Sequence, residues 1–384
     1  MIKTVRDLNI RNKRVIIRVD FNVPMEDGRI VDDNRIRAAL DTINYCIENN
    51  TKVILLSHLG RVKEPRDLEK NDMAPVAERL SQLLKKHILF SEKTRGPELE
   101  NIVSHMKYKD VLLIQNTRYE DLDGKKESTN DPELGAYWAS FGDVFINDAF
   151  GTVHRAHASN CGIAKHLPSA FGFLIEKELK ALGELENPEH PFVLILGGAK
   201  VADKIGVIEN LVTKADKILI GGGMAFTFLK AKGYEIGDSL YSIDYVDEVK
   251  ELLNEYSSKI VMPIDVVVNK DDNISNIDIK EMESGSIYDL GPKTLQVYRD
   301  ILDESETVFI NGTIGLYEDE RYRQGTIELF EILKRCNNIK IAGGGDALAS
   351  INTLGYQDAF NYLSTGGGAT LDYIASKKLK CFEE

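Results

Sequence analysis

Apolar residues fall in short runs along this chain, and most runs stop in polar or glycine-rich turns. The first half carries RVIIRVD, KVILLS, VLLIQN and DVFIND. The second carries FVLILGG, KILIGGG, KIVMPIDVVV, TVFING and KIAGGG. Runs rich in β-branched residues and apolar at successive positions suit strands buried on both faces, as in the interior of a parallel sheet. Between them, stretches such as NRIRAALDTINYCIENN and MAPVAERLSQLLKKH repeat apolar positions at helical spacing. The alternation predicts an α/β protein whose parallel sheets carry helices on both faces.

One stretch interrupts the alternation. In LPSAFGFLIEKELKALGELENPEHP, Pro168 and Ser169 precede a charged amphipathic segment, and Pro188 with Pro191 end it. It predicts a connecting helix over 171–186, with one sheet domain over 1–170 and a second over 187–369. At 384 residues the chain is long enough for two such domains.

The composition, 43% hydrophobic and 28% charged, permits two buried cores and a hydrated surface. The formal net charge of -13 speaks against nucleic acid or an anionic membrane surface as partner, since each calls for a basic face. No uncharged apolar stretch approaches 18 residues, and the charged first 15 residues hold no apolar core of a signal peptide. Cysteines 46, 161, 336 and 381 stand far apart without a CxxC, a spacing that fits unpaired thiols in a reducing cytosol.

Against this acidic background, cations gather beyond the first-half runs. Ligands of open parallel sheets bind beyond the carboxyl ends of the strands. Those positions hold Asp20 and Asn22 in VDFNVP, Arg35 near a helix start, His58 to Arg61 in SHLGR, Arg118 in QNTRY, and HRAH at 154–157. In isolation, HRAH fits a zinc pair, an anion site or a solvated loop. Arg155 would repel a cation there and no third ligand stands at a suitable spacing, which favours the anion. Planar guanidinium groups hold carboxylate or phosphate through two parallel hydrogen bonds, so converging arginines point to a small, multiply charged anion such as a phosphorylated acid.

The second half ends its runs in glycine instead: LGGAKVADKIG, GGGMAF, NGTIGLYE, AGGGDALAS and STGGGAT. Glycine lets backbone approach a ligand closely, and helix N-termini offer free N–H groups to phosphate. Lys200 and Lys204, four apart at an expected helix start, would share one face over a polyphosphate. Asp346 after three glycines suits Mg2+ carried on that polyphosphate. Neither GxxxxGK[ST] nor GxGxxG occurs, so the pattern is neither a P-loop nor a dinucleotide fingerprint, and a nicotinamide-dependent oxidoreductase loses its sequence support.

Taken in order, RVDFNVP, SHLGR, NDAFGTVHRAHAS, LGGAKVADKI, GGGMAFTFLKA, LGPKT, GGGD and STGGGA resemble the phosphoglycerate kinases over nearly the full length. The resemblance implies two Rossmann-like domains closing about a hinge. The first binds 3-phosphoglycerate or 1,3-bisphosphoglycerate through Asp20, Asn22, Arg35, His58, Leu59, Gly60, Arg61, Arg118 and Arg155. The second binds Mg2+ with ATP or ADP through Lys204, Glu318, Gly344, Gly345, Asp346 and Ala347, with Asp346 serving the metal. Arg35 and Lys200 would stabilise the phosphoryl group in transfer. The resemblance further implies a cytoplasmic, monomeric glycolytic enzyme whose terminal segment, 370–384, packs back on the first domain. A catalytically weakened relative acting as a metabolite sensor is the alternative. Departures from the family pattern are Ile310 and Thr313 where tryptophan and proline are usual, Ala347 for a hydroxyl residue, Gln115 for glutamate, and the tail ASKKLKCFEE.

Overall fold

The computed structural model describes residues 3–376 and 379, and they form two compact units, the chain passing from the first to the second between Leu179 and Lys180. In the first unit the strands are β1 (Arg14–Val19), the hairpin β2 (Met25–Glu26) and β3 (Arg29–Ile30), β4 (Lys52–Leu56), β5 (Leu89–Ser91), β6 (Val111–Ile114), β7 (Val144–Asp148) and β8 (Ser169–Phe171). Six of them make an all-parallel sheet in the order β5-β6-β4-β1-β7-β8. The helices are α1 (Asn34–Ala38), α2 (Leu40–Glu48), α3 (Arg66–Lys70), α4 (Ala74–Leu84), α5 (Pro97–His105) and α6 (Pro132–Ala139), and α7 (Phe173–Gly183) runs across the division into the second unit.

Successive strand residues feed two different cores, which is why the runs are apolar throughout. Val15, Ile17, Val53, Leu55 and Ile146 pack with Ile43, Cys46 and Leu80 on one face. Ile16, Ile54, Leu112 and Phe145 pack with Leu99 and Trp138 on the other. Trp138 is fully buried, and its indole N–H donates to the Thr94 carbonyl at 2.8 Å. The register sets Arg18 of β1 opposite Leu56 and Asn147, so the carboxyl ends of the three central strands lie level.

The second unit continues with β9 (Phe192–Leu196), β10 (Lys217–Ile220), β11 (Ile260–Val261), β12 (Asp265–Lys270), β13 (Asn273–Asp278), β14 (Ser286–Leu290), β15 (Thr307–Asn311), β16 (Ile339–Gly343) and β17 (Tyr362–Leu363). A parallel sheet runs β11-β10-β9-β15-β16-β17, and β13-β12-β14 form a separate antiparallel sheet. Its helices are α8 (Ile205–Leu211), α9 (Met224–Ala231), α10 (Val246–Glu255), α11 (Pro292–Asp303), α12 (Gln324–Arg335), α13 (Gly345–Leu354) and α14 (Gly368–Ser376). α14 packs on α8, where Ala375 lies against Gly206. The rest of the expected terminal segment, 377, 378 and 380–384, lies outside the described residues.

Three details depart from the sequence reading. KIVMPIDVVV is not one strand: Pro263 separates β11 from β12, and β12 leaves the parallel sheet for the antiparallel one. The residues just after Pro168 form β8 at the sheet edge, so the connecting helix starts at Phe173. Cys46 and Cys336 are free thiols, but Cys161 is disulfide-bonded, against the expectation of four unpaired cysteines.

Asp148 joins the end of β7 to the start of α7. Its Oδ1 accepts the Leu174 N–H at 2.9 Å and the Ile175 N–H at 3.3 Å. Burial pushes its carboxyl up from 3.8 to about 7, against the opposing pull of Thr42 and the two amides. A folded pKa above the unfolded one stabilises fully below the unfolded value and loses that contribution as pH rises toward the folded value. Asp148→Asn removes the penalty of ionisation, so its melting temperature relative to wild type should rise between pH 4 and pH 8. A constant difference across that window in thermal melts would contradict the assignment.

Candidate functional site

The loops beyond β1, β4, β6 and β7 converge. Arg35, on α1, donates from Nη1 to Asp20 Oδ2 at 2.6 Å. Burial alone would raise the Asp20 carboxyl, but the charges of Arg35, first, and Arg18, with the Asn22 N–H, outweigh it and hold it below the usual carboxylate range. Asn22 Oδ1 accepts the Gly60 N–H at 2.7 Å. Gly60 has φ +58, and Asn71 Oδ1 occupies the place a Cβ would need, so both backbone and space demand glycine. Gly151 likewise leaves room for Asp20 Oδ2, with Arg35 Nη1 3.7 Å from the place of the missing Cβ.

HRAH divides its labour. Arg155 is exposed, and its Nε donates to His154 Nε2 at 2.8 Å, which occupies the nitrogen a metal would need. His157 is buried, and burial with the charges of Arg118 and Arg18 lowers its pKa to about 2. Burial lowers His58 to about 3; Asp20 opposes this, while Arg18, Arg118 and Arg35 reinforce it. Both imidazoles are therefore neutral at pH 7. The positive charge around the two rings is therefore carried by Arg18, Arg35, Arg118 and Arg155, and no group of three or more metal-ligating side chains occurs among the described residues.

Placement varies among the remaining candidates. Arg61 is exposed at the rim. Arg118 is largely buried; its Nη1 donates to Asp121 Oδ2 at 2.9 Å and to Ser128 Oγ, and its field reaches both His58 and His157. Leu59 does not reach the crevice. Its side chain is core, and Asn116 takes both its N–H (3.1 Å) and its carbonyl (2.6 Å). Asn116 also accepts the Arg118 N–H and donates to the Asn71 carbonyl, so one buried amide fixes three loops. Gln115 donates to Asp72 Oδ2 at 3.1 Å, a bond that the glutamate usual in the resembled family would not make when ionised.

Beneath the crevice lie groups that the pattern reading missed. Arg18, inside β1, is fully buried and bonds Ser159 Oγ at 2.9 Å and His58 Nδ1 at 3.2 Å. Ser159 in turn donates to the fully buried Glu127 from Oγ (2.5 Å) and N (2.9 Å). The available signal was the charge itself: a cation within a run apolar on both faces must find a partner inside.

In the second unit a cleft of about 350 Å³ opens beyond β9, β15 and β16, lined by Gly198, Phe226, Tyr288, Ile314, Glu318 and Asp346 among others. Its apolar side suits a flat ring, and its glycine edge suits phosphates. A Cβ on Gly198 (φ +98) would stand 3.8 Å from the Lys204 stem and 3.9 Å from Asp346 Oδ2, so glycine, cation and carboxylate meet. Gly344 (φ +96) precedes α13, and Gly345 with Asp346 opens it, turning free N–H groups outward. Asn311 joins the parts: Lys204 Nζ donates to its Oδ1, and its Nδ2 donates to the Gly343 carbonyl at 2.6 Å.

The two lysines do not share a helix face as expected. Lys200 precedes a 3-10 turn, Val201–Asp203, and is exposed; Lys204 caps α8 and is 7% exposed. Burial lowers the Lys204 ammonium pKa, and Asp346 and Asp203 oppose the shift. The Ala347 side chain is fully buried, so only its backbone can meet a ligand at the helix start. Ile310 is core, and Thr313 works through its carbonyl, which accepts the Gly198 N–H at 2.7 Å.

Residues 5–377 match the sequence model of the family described as phosphoglycerate kinase. A curated phosphoglycerate kinase of Listeria innocua is 53% identical, covering 98% of this chain and 97% of its own. One from Enterococcus faecalis is 52% identical with the same coverage. Among solved structures, phosphoglycerate kinase from Coxiella burnetii superposes with a TM-score of 0.87 at 36% identity, covering 99% of this chain and 98% of its own. The Pyrococcus horikoshii phosphoglycerate kinase also gives 0.87, at 32% identity, with 99% and 97% covered.

Proposed function

The chain belongs to the phosphoglycerate kinase family and is a phosphotransferase with a carboxyl acceptor, and from that premise we propose how the work is divided among its residues. The first unit holds 3-phosphoglycerate or 1,3-bisphosphoglycerate through Asp20, Asn22, Arg35, His58, Gly60, Arg61, Arg118 and Arg155. The second holds ADP or ATP through Lys204, Glu318, Asp346 and the backbone from Gly344 to Ala347. Residues 171–186 serve as the hinge. The observation that carries this reading is the meeting of Gly198, Lys204, Asn311 and Asp346 at one cleft edge, a polyphosphate seat in a unit separate from the arginines.

Transfer of an acyl phosphate to ADP needs no protein base, since a phosphate oxygen is already the nucleophile. The protein's contribution is positioning and charge neutralisation. Arg35 and Lys200 follow the phosphoryl group as its charge spreads. Magnesium takes one or two carboxylates plus phosphate oxygens, so Asp346 beside the phosphate seat fits a cation carried by the nucleotide. When bound, that cation neutralises phosphate charge. Among the described residues no helix is long and apolar enough to cross a membrane. The reading is of a cytoplasmic, monomeric enzyme acting on small metabolites. A coupled assay with ATP and 3-phosphoglycerate tests the whole reading. Magnesium-dependent turnover is expected, and binding of both ligands without turnover would instead favour a sensor.

Arg118→Ala should weaken phosphoglycerate binding by about 10- to 100-fold, the equivalent of one charge-assisted hydrogen bond, and leave ADP binding within about twofold. Calorimetry that finds equal losses for the two ligands would contradict the division between units.

A further inference from the structure

We propose that Glu127 and Ser159 are positioning residues that anchor Arg18, and that Arg18 fixes His58 in the tautomer with its proton on Nε2, turned toward the phosphoglycerate. A guanidinium has five donors and no acceptor. Its contact of 3.2 Å with His58 Nδ1 therefore requires that nitrogen to accept, which leaves the proton of a neutral ring on Nε2. The neutral ring is secured by burial and by the surrounding arginines, and Asp20 Oδ1, 4.0 Å from Nδ1, lies beyond hydrogen-bond reach. Nδ1 is committed, and Nε2 is the one donor His58 has for an anion.

Arg18 makes this contact with a guanidinium held on its other edges. Nη1 donates to the Val19 carbonyl and Nε to Ser159 Oγ. Ser159 has one hydroxyl proton, and it goes to Glu127 Oε1 at 2.5 Å, which leaves its lone pairs for Arg18. Glu127 fixes the serine backbone as well, and its own carbonyl accepts the Ala158 N–H at 3.0 Å. Carboxylate, hydroxyl, guanidinium and imidazole thus form one directed chain, buried throughout. Glu127 and Asp20 are the carboxylates among the described residues whose fields raise the Arg18 pKa, so Glu127 helps to balance a cation that burial disfavours. Such a chain spends two buried opposite charges, bridged by Ser159, on orientation rather than on stability, since buried opposite charges contribute little net.

The functional half rests on the proposed contact of His58 with phosphoglycerate; the tautomer does not. Nitrogen-15 NMR of histidine-labelled, ligand-free protein at neutral pH reads the tautomer directly. Wild-type His58 should show a proton-bearing Nε2 and a bare Nδ1, and a proton on Nδ1 overturns the proposal. The paired variant Arg18→Met/Glu127→Gln removes both buried charges together, which spares the fold an orphaned ion. It should mix the two tautomers, bring the His58 pKa up, and raise KM for 3-phosphoglycerate by about tenfold with kcat within about threefold, as loss of a binding hydrogen bond dictates. Ser159→Ala, which leaves both charges, should move the same readouts in the same direction by a smaller amount. If His58 keeps a single Nε2 proton in both variants, Arg18 does not set the tautomer and the proposal is wrong. If the tautomer changes while KM stays within twofold, the relay stands and the His58 contact with substrate falls.

Discussion

Lys200→Met is expected to cut kcat by roughly 100- to 1,000-fold, the cost of losing one preorganised charge donor in the transition state. Lys200 is exposed and makes no hydrogen bond or ion pair among the described residues, so nothing in the resting protein depends on its charge. Methionine preserves most of the stem. An interaction formed only as charge spreads over the moving phosphoryl group lowers kcat and spares ground-state affinity, so nucleotide Kd should stay within about threefold. Lys204→Met should behave in the opposite way. Its ammonium is already buried and bound to Asn311, beside Asp346, so its removal disrupts the phosphate seat before any chemistry. Nucleotide Kd should rise by about 10- to 100-fold. If Lys200→Met keeps near-normal kcat in single-turnover measurements, its transition-state role is wrong.

Arg35→Met should lower kcat on a similar scale, roughly 100- to 1,000-fold, by removing the partner donor from the first unit. This variant has a second effect that must be separated. Arg35 is the main charge holding Asp20 ionised in a buried place, and without it the carboxyl pKa rises. Arg35→Lys separates the two. It returns the charge to Asp20 and should restore 3-phosphoglycerate affinity to within about threefold, but it lacks the planar fork and should recover only part of kcat. Full recovery of kcat by lysine would show that a point charge suffices there and that the fork has no catalytic part.

The strands that carry the site were legible because each is buried on both faces. Val15 and Ile16 enter different cores, and a run apolar at successive positions has few other ways to fold. The residues gathered at their ends were legible because one half of the chain ends its strands in arginine and histidine and the other in glycine. Where the reading failed, local pattern was degenerate. A three-residue edge strand such as β8 has no period to detect. In KIVMPIDVVV the apolar pattern runs on through Pro263, and only tertiary pairing separates β11 from β12. The spacing of Lys200 and Lys204 implies one face only if a helix lies between them, and the 3-10 turn breaks that premise. Arg18, Asn116 and Glu127 act through partners 141, 57 and 32 residues away, at Ser159, Leu59 and Ser159. No window along the chain contains both members of such a pair.

Trp138, on α6, is the single tryptophan of the chain, and it sits in a core cluster with α5 and sheet residues of the first unit. Selective excitation of indole therefore makes the emission a private reporter of that unit. A dry, apolar surrounding with a fixed N–H bond gives short-wavelength emission that shifts red only when this core opens. Far-ultraviolet circular dichroism, in contrast, averages helices from both units. Denaturant curves followed by the two probes need not coincide, and their separation measures how far the units unfold independently. Nucleotide, proposed to bind the other unit, should move the dichroism transition upward and shift the tryptophan transition only as far as the two units are energetically coupled.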